Sequence, residues 1–214
     1  MDAPQVQVQV AGELQVKMTN AIIVFQKNEE LGNVKTRLAA SIGDIAALEA
    51  YKKLIFFTHS ILKGSPFKKV LFFSSFIPKD LSHYQNDYSF ELQSEGDLGV
   101  KMKDAFKRLF DSGYEKLLIV GTDCAELTSE IIEKAFVQLD HKELVIGPAD
   151  DGGYYLLGMK KFVAGVFDDI PWSTDRVTEL TKEYLNKNGL SFSLLPSLSD
   201  IDDEEDWERF KFKI

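Results

Sequence analysis

The sequence holds a single cysteine, Cys124, in 214 residues. No internal disulfide is possible, and a reducing compartment fits. Histidine is scarce too: His59, His83 and His141 are scattered and show none of the spacing of a zinc site. No apolar run is long enough to span a bilayer. The N-terminus has no basic segment followed by an apolar core, so no secretory signal is read there. These absences lead to the expectation of a cytoplasmic protein without a membrane span. Basic residues are in deficit, 25 Lys and Arg against 34 Asp and Glu, for a net charge of −9. A nucleic-acid partner needs a clustered basic surface and is not expected. An anionic ligand is compatible only where local cations or a metal reverse the field.

The composition that remains, 44% hydrophobic and 28% charged, is that of a folded chain rather than a disordered one. Its length suits one domain with a sizeable core. Residues 5–10 alternate Gln and Val. Residues 1–17 are read as an extension or extra edge strand outside the chemistry, and residues 18–214 as the domain.

Four short apolar runs, at 21–25, 70–73, 117–120 and 144–147, read as strands. Their apolarity is continuous rather than alternating, which predicts burial on both faces, as in parallel sheets. Helical patterns lie between them. Asp44 can cap a helix that carries Ile45, Leu48, Tyr51, Ile55 and Leu62 and stops at Gly64. Asp97 can cap a second, with Met102, Phe106, Leu109 and Phe110, ending at Gly113. Thr128 opens a third, with Ile131, Ile132, Ala135 and Leu139. A fourth is expected from Ser173 or Thr174, with Val177, Leu180, Tyr184 and Leu185. Residues 192–195 read as a late strand and 204–210 as a closing helix. Strand alternating with helix predicts an α/β protein whose helices cover a mostly parallel sheet.

Ligands of such sheets bind beyond the carboxyl ends of the strands. Three motifs fall there. Gly32-Asn33-Val34-Lys35-Thr36-Arg37 follows the first strand. Gly32 can let the backbone turn around a ligand, Thr36 can cap the next segment, Lys35 offers a point charge, and Arg37 can grip two oxygens. The alternative is a solvated loop with ordinary surface cations. Gly121-Thr122-Asp123-Cys124 follows the third run, where an Asp can bind Mg²⁺ or Mn²⁺. The alternative is a helix cap, for which Thr128 is better placed. Cys124 has no neighbouring histidine and reads as a small, partly buried thiol. Asp150-Asp151-Gly152-Gly153 follows the fourth run. It is a tight-turn signal, and its glycines also allow close approach to a sugar while a carboxylate accepts a hydroxyl or serves as base. A fourth motif, Asp200-Ile201-Asp202-Asp203, can complete a metal shell with Asp123, or can simply open a solvated acidic helix. Trp172, in Pro171-Trp172-Ser173-Thr174, can stack on a base or sugar or pack as part of a lid or core.

The order VKTRL at 34–38, GDLG at 96–99, GTDC-x-x-LT at 121–128, DGGYYLLG at 151–158, PWSTDRV at 171–177 and D-I-D at 200–202 resembles the DUF2064 group of bacterial GT-A-like transferases. These are also described as radical-SAM/selenodomain-associated transferases and as arsenosugar-biosynthesis glycosyltransferases. The resemblance runs over residues 18–210. It implies a single-domain, three-layer nucleotide-diphospho-sugar transferase fold and a nucleotide-sugar donor with a small-molecule acceptor. It also implies a Mg²⁺ or Mn²⁺ ion on Asp123 and Asp202. By the same resemblance Lys35 and Arg37, after the Gly32 turn, meet the diphosphate. Thr122, Gly152, Gly153, Tyr154 and Trp172 join them in substrate binding, and Asp151 and Asp123 are the catalytic candidates. The segment Lys35-Thr36-Arg37-Leu38 is similar also to 2-phospholactate guanylyltransferases, which implies the alternative of a nucleotidyltransferase joining a nucleoside triphosphate to a phosphorylated acceptor. A further alternative is a non-catalytic nucleotide-binding protein. The chain departs from the family pattern at Asn28-Glu29-Glu30-Leu31, where prolines and a small-residue turn are usual, at Ala125 in place of proline, and at Asp203 in place of threonine.

Overall fold

The computed structural model describes residues 19–84 and 88–214; the expectation for residues 1–17 falls outside them. Among the described residues one sheet is formed by β1 (Asn20–Gln26), β2 (Lys68–Phe73), β3 (Tyr88–Leu92), β4 (Lys116–Val120), β5 (Leu144–Pro148), β6 (Tyr154–Met159) and β7 (Phe192–Leu194). Their order across it is β3-β2-β1-β4-β6-β5-β7. β1 pairs in parallel with β2 and β4, β2 with β3, and β5 with β7. Only β6 runs against its neighbours β4 and β5. The hairpin signal at Asp150–Gly153 is the turn that reverses the chain into β6, with a register shift at Gly147/Pro148.

The helices are α1 (Thr36–Ile42), α2 (Asp44–Leu62), α3 (Leu98–Asp111), α4 (Ser129–His141), α5 (Val177–Lys187) and α6 (Glu204–Phe210), with a short 3-10 turn at Ala164–Phe167. Side chains alternate across a strand, and both faces of this sheet are covered. Ile22, Val24, Leu118 and Val120 point to one face, where Leu62 of α2 and Ile132, Phe136 and Leu139 of α4 meet them. Ala21, Ile23, Leu117 and Ile119 point to the other, against Met102, Phe106 and Leu109 of α3 and Leu185 of α5. This two-sided burial is why the strands read as unbroken apolar runs. The expected α/β architecture with a mostly parallel sheet is the one observed, in three layers.

Caps set several boundaries. Asp97 accepts from Val100 N–H to start α3, and Thr128 accepts from Ile131 N–H to start α4, both as expected. Three expectations need correction. Asp44 is not the cap of α2 but its first residue, after Gly43. Thr36 is likewise the first residue of α1; the cap position is Lys35, with no side-chain cap bond. Helix α5 begins at Val177, not at 173 or 174, because residues 171–176 are taken up by turns in which Ser173 has a φ of 64°. Strand β3 was missed in the sequence: it is an edge strand, half-exposed, with no continuous apolar run. Among the described residues no helix is long and apolar enough to cross a membrane.

Candidate active site

The site is built at the carboxyl rim, beginning after β1. Lys35 lies in the left-handed region, with φ 47° and ψ 47°, a conformation that costs an L-residue roughly 1–2 kcal/mol. Its side chain runs inward and is only 5% exposed. The ammonium donates to Ile201 O at 2.6 Å, pairs with Asp123 Oδ1 at 2.7 Å, and stands 3.8 Å from Asp202 Oδ1. Arg37 is 77% exposed and reaches Asp202 Oδ2 at 3.3 Å. The cationic loop and two distant acids therefore meet at one point. In this protein the two cations already face carboxylates.

The acid-bearing segment is fixed by its neighbours on every side. Ala149 and Leu198 form an isolated parallel bridge, and Asp150 N–H donates to Leu198 O. Ser197 and Ser199 hydroxyls donate to the two oxygens of Asp150 at 2.6 and 2.7 Å; these bonds hold the Asp150 carboxyl below the usual range. Ser199 N–H donates to Glu126, and Ile201 N–H to Asp123 O at 2.9 Å. Cys124 and Asp200 form an antiparallel bridge. Ile201 is fully buried against Leu54, Ala125 and Phe210. Alternation along extended backbone then turns Asp200 and Asp202 to the other side, where both line a cavity. Asp203, one of the departures from the family pattern, caps α6: it accepts from Glu205 and Asp206 N–H, while Asp206 accepts from Asp202 and Asp203 N–H. Aspartate and threonine both serve as helix caps, so this exchange keeps Asp202 in place.

The cavity has a volume of about 630 Å³. Of the residues singled out in the sequence, it is lined by Lys35, Arg37, Thr122, Asp123, Asp151, Gly153, Tyr154, Trp172 and Asp202. Gly32 and Gly152 are not on its wall. Gly32 turns the loop behind Lys35 with φ 78°. Gly152 has φ 88°, and a Cβ there would lie 2.0 Å from Asp175 O, so this glycine lets the β5–β6 turn press against the loop before α5. Thr178 seals that contact by donating through N–H to Gly152 O at 2.9 Å and through its hydroxyl to Gly153 O. Trp172 stacks on Phe167 and meets Tyr154 edge-on at 6.2 Å. It also covers Gly99 of α3, where a Cβ would come within 1.9 Å of the indole Nε1. Thr122 is buried, its hydroxyl 3.2 Å from that of Tyr51. Burial, and then the charge of Asp123, push the Tyr51 hydroxyl pKa up. Asp151 Oδ1 accepts from Gly153 N–H at 2.8 Å.

The sequence motif gives Asp200 no role of its own. The structure places it on the cavity wall with Asp123 and Asp202, where desolvation first, and then the charges of Asp123, Asp151 and Asp202, push its carboxyl up to about 7 against the pull of Lys35. The spacing Asp200-Ile201-Asp202 carried the signal, since two acids flanking an apolar residue in an extended segment share a side. Burial likewise pushes the Cys124 thiol up to about 12, which suits packing and not nucleophilic attack. Among the described residues no cluster of three or more His, Cys, Asp or Glu forms a ready metal cage. The donor set still fits a hard divalent ion. Two carboxylates converge within 4 Å of one point, and Mg²⁺ takes one or two protein carboxylates and completes its shell with phosphates and water.

A family model described as "Uncharacterized protein conserved in bacteria (DUF2064)" matches residues 58–174, more than half of the chain. This chain belongs to the DUF2064 family. Within the matched span lie Thr122, Asp123, Asp151, Gly152, Gly153, Tyr154 and Trp172; Lys35, Arg37 and Asp202 lie outside it. Among solved structures, this DUF2064 protein is similar to one from Desulfovibrio desulfuricans G20, provisionally named a nucleotide-diphospho-sugar transferase. The two share 31% identity over 86% of this chain and 83% of that one, with a TM-score of 0.79. A cytidylyltransferase from Leptospira borgpetersenii serovar Hardjo-bovis matches at 17% identity and a TM-score of 0.55, over 91% of this chain and 85% of that one. The 4-diphosphocytidyl-2C-methyl-D-erythritol synthase of Anaerococcus prevotii DSM 20548 matches at 13% and 0.57, over 91% and 95%. These two share the fold alone with the DUF2064 chain. No curated protein matches it significantly. The fold is that of the nucleotide-diphospho-sugar transferases.

Proposed function

We propose that the protein is a glycosyltransferase that takes a nucleotide-diphospho-sugar donor, uses Mg²⁺ or Mn²⁺, and passes the sugar to a small-molecule acceptor. The observation that carries this reading is the meeting of Lys35, Asp123 and Asp202 at the rim, with one ammonium 2.7 and 3.8 Å from two carboxylates that arrive from different ends of the chain. Asp123 and Asp202 would hold the ion, which when bound supplies Lewis-acid neutralisation of the leaving diphosphate. Arg37, exposed at the mouth, forks onto phosphate oxygens, and Lys35 adds a second positive charge behind them. Gly32 gives the loop its turn, and Thr122, buried beside Tyr51, sets the floor beneath Asp123. Gly153, Tyr154 and Trp172 form the wall along which the sugar meets its acceptor, with Gly152 holding that wall against the Asp175 backbone. Asp151 accepts the acceptor hydroxyl and takes its proton. This reading treats residues 18–214 as one transferase domain acting in the cytoplasm, with residues 1–17 outside the chemistry.

A thermal-shift screen of UDP-, GDP-, ADP- and CDP-linked sugars, with and without Mn²⁺, tests the reading, because a ligand of the folded state raises its melting temperature. A shift that needs both donor and Mn²⁺ is expected. No shift with any donor would reject it in favour of a non-catalytic member. The likeness of Lys35-Thr36-Arg37-Leu38 to 2-phospholactate guanylyltransferases supports a second reading, a nucleotidyltransferase with a phosphorylated acceptor; release of pyrophosphate from a nucleoside triphosphate would favour it.

A further inference from the structure

The walls of the cavity differ in their cations. Those on its lining, Lys27, Lys35 and Arg37, all follow β1, and Lys35 and Arg37 are matched there by Asp123 and Asp202. The opposite wall comes from the β5–β6 turn and the loop before α5. It is lined by Asp151 and Asp175, by Ser173, and by the aromatic residues Tyr154 and Trp172. Strand β4 separates β1 from β6 in the sheet, so the walls stand roughly 10 Å apart, two strand spacings. Asp151 accepts one bond from Gly153 N–H, and among the described residues neither Asp151 nor Asp175 pairs with a cation. The nearest cation in sequence, Arg176, is turned to Glu179 at 3.7 Å and is not on the wall.

From this asymmetry, and resting on the transferase reading above, we infer that the acceptor is a polyhydroxylated molecule without a phosphate group. Ionised carboxylates only accept hydrogen bonds. They suit the hydroxyls of a sugar or polyol, and the aromatic rings beside them suit its C–H face. Phosphate recognition requires the reverse, arginine or lysine donors, and this wall has none. A phosphorylated acceptor would bring its charge against two uncompensated acids.

The test uses the full chain in two stages. UDP, GDP, ADP and CDP with Mn²⁺ are first screened by thermal shift. The protein saturated with the nucleotide that binds is then titrated calorimetrically with matched pairs: glucose and glucose 6-phosphate, glycerol and glycerol 3-phosphate, myo-inositol and inositol 1-phosphate. The neutral member of at least one pair is expected to bind about tenfold tighter than its phosphate, or more. Asp175→Asn, a near-isosteric change on an exposed side chain, should narrow that gap, and higher ionic strength should narrow it too. Equal or tighter binding of the phosphate, or no binding of any neutral member, overturns the inference and leaves the transferase reading standing. Failure of every nucleotide to bind removes both.

Discussion

Replacing Lys35 with methionine keeps most of the side chain's length and deletes its charge. The side chain is 5% exposed, and its ammonium serves Asp123, Asp202 and Ile201 O at once. Its loss leaves Asp123, Asp200 and Asp202 crowded without their inner cation. Removing one partner of a fully buried pair costs roughly 3–5 kcal/mol. Here Asp123 is 47% and Asp202 38% exposed, so water recovers part of that, leaving a cost of about 2 kcal/mol. For a chain of this size that lowers the Tm by about 4–8 °C. The same deletion should act the other way on a divalent cation. In the unmodified protein an ion entering between Asp123 and Asp202 competes with the ammonium; in Lys35→Met it does not. Mn²⁺ alone should bind the variant about tenfold tighter, equivalent to about 1.4 kcal/mol, and should rescue its Tm by more than it raises the wild type's. Calorimetric titration with Mn²⁺ in the absence of nucleotide reads the first effect and a melting curve the second. An unchanged Tm, or Mn²⁺ affinity no higher than wild type, would refute the reasoning.

Three further outcomes are expected. Gly152→Ala forces a Cβ to 2.0 Å from Asp175 O at a φ of 88°; it should destabilise the protein by about 2–4 kcal/mol, read from the denaturation midpoint. Gly99→Ala should push Trp172 off α3, where the clash would be 1.9 Å, and shift tryptophan emission to the red in a Trp207→Phe background, with only a modest change in stability. His59 is half-buried between Gln26 and Tyr88; desolvation first, and then His83, push its pKa down from 6.5 to about 4. The unfolded chain thus takes up the proton more readily, so this contribution is complete above pH 6.5 and is lost as pH falls towards 4. At most about 3 kcal/mol is involved. Asp200, raised from 3.8 to about 7, slopes the opposite way across that range, so the difference between wild type and His59→Gln isolates the histidine. A difference independent of pH would contradict the assignment.

The central strands were legible because each is buried on both faces, and the caps Asp97 and Thr128 because their side chains bond the first turn locally. The edge strand β3 was not legible: half-exposed, it lacks the apolar run that marked its neighbours. Helix α5 was placed too early because Ser173 and Thr174 look like caps, whereas Gly152 pressing on Asp175 holds that stretch in turns. At the site, strand ends placed Lys35, Asp123 and Asp151 on one rim. What the sequence could not convey was pairing across the chain. That Lys35 turns inward to Asp123, and that Asp150 fastens Ser197 and Ser199 so that Asp200 and Asp202 face the cavity, depends on contacts between residues far apart in sequence. The role of Asp200 depends on the same contacts, since it joins the other acids only once the segments after β4 and before α6 meet.

The most direct test of the account is nucleotide binding by Asp123→Asn and Asp202→Asn. Each keeps its shape and loses one carboxylate charge beside Lys35. Calorimetry with the nucleotide that binds wild type, in Mn²⁺ and again in EDTA, should show Mn²⁺-dependent binding for wild type and its loss in both variants. Wild-type affinity that is unchanged by EDTA, or retained Mn²⁺-dependent binding in either variant, would contradict the claim that these two acids hold an ion for the diphosphate.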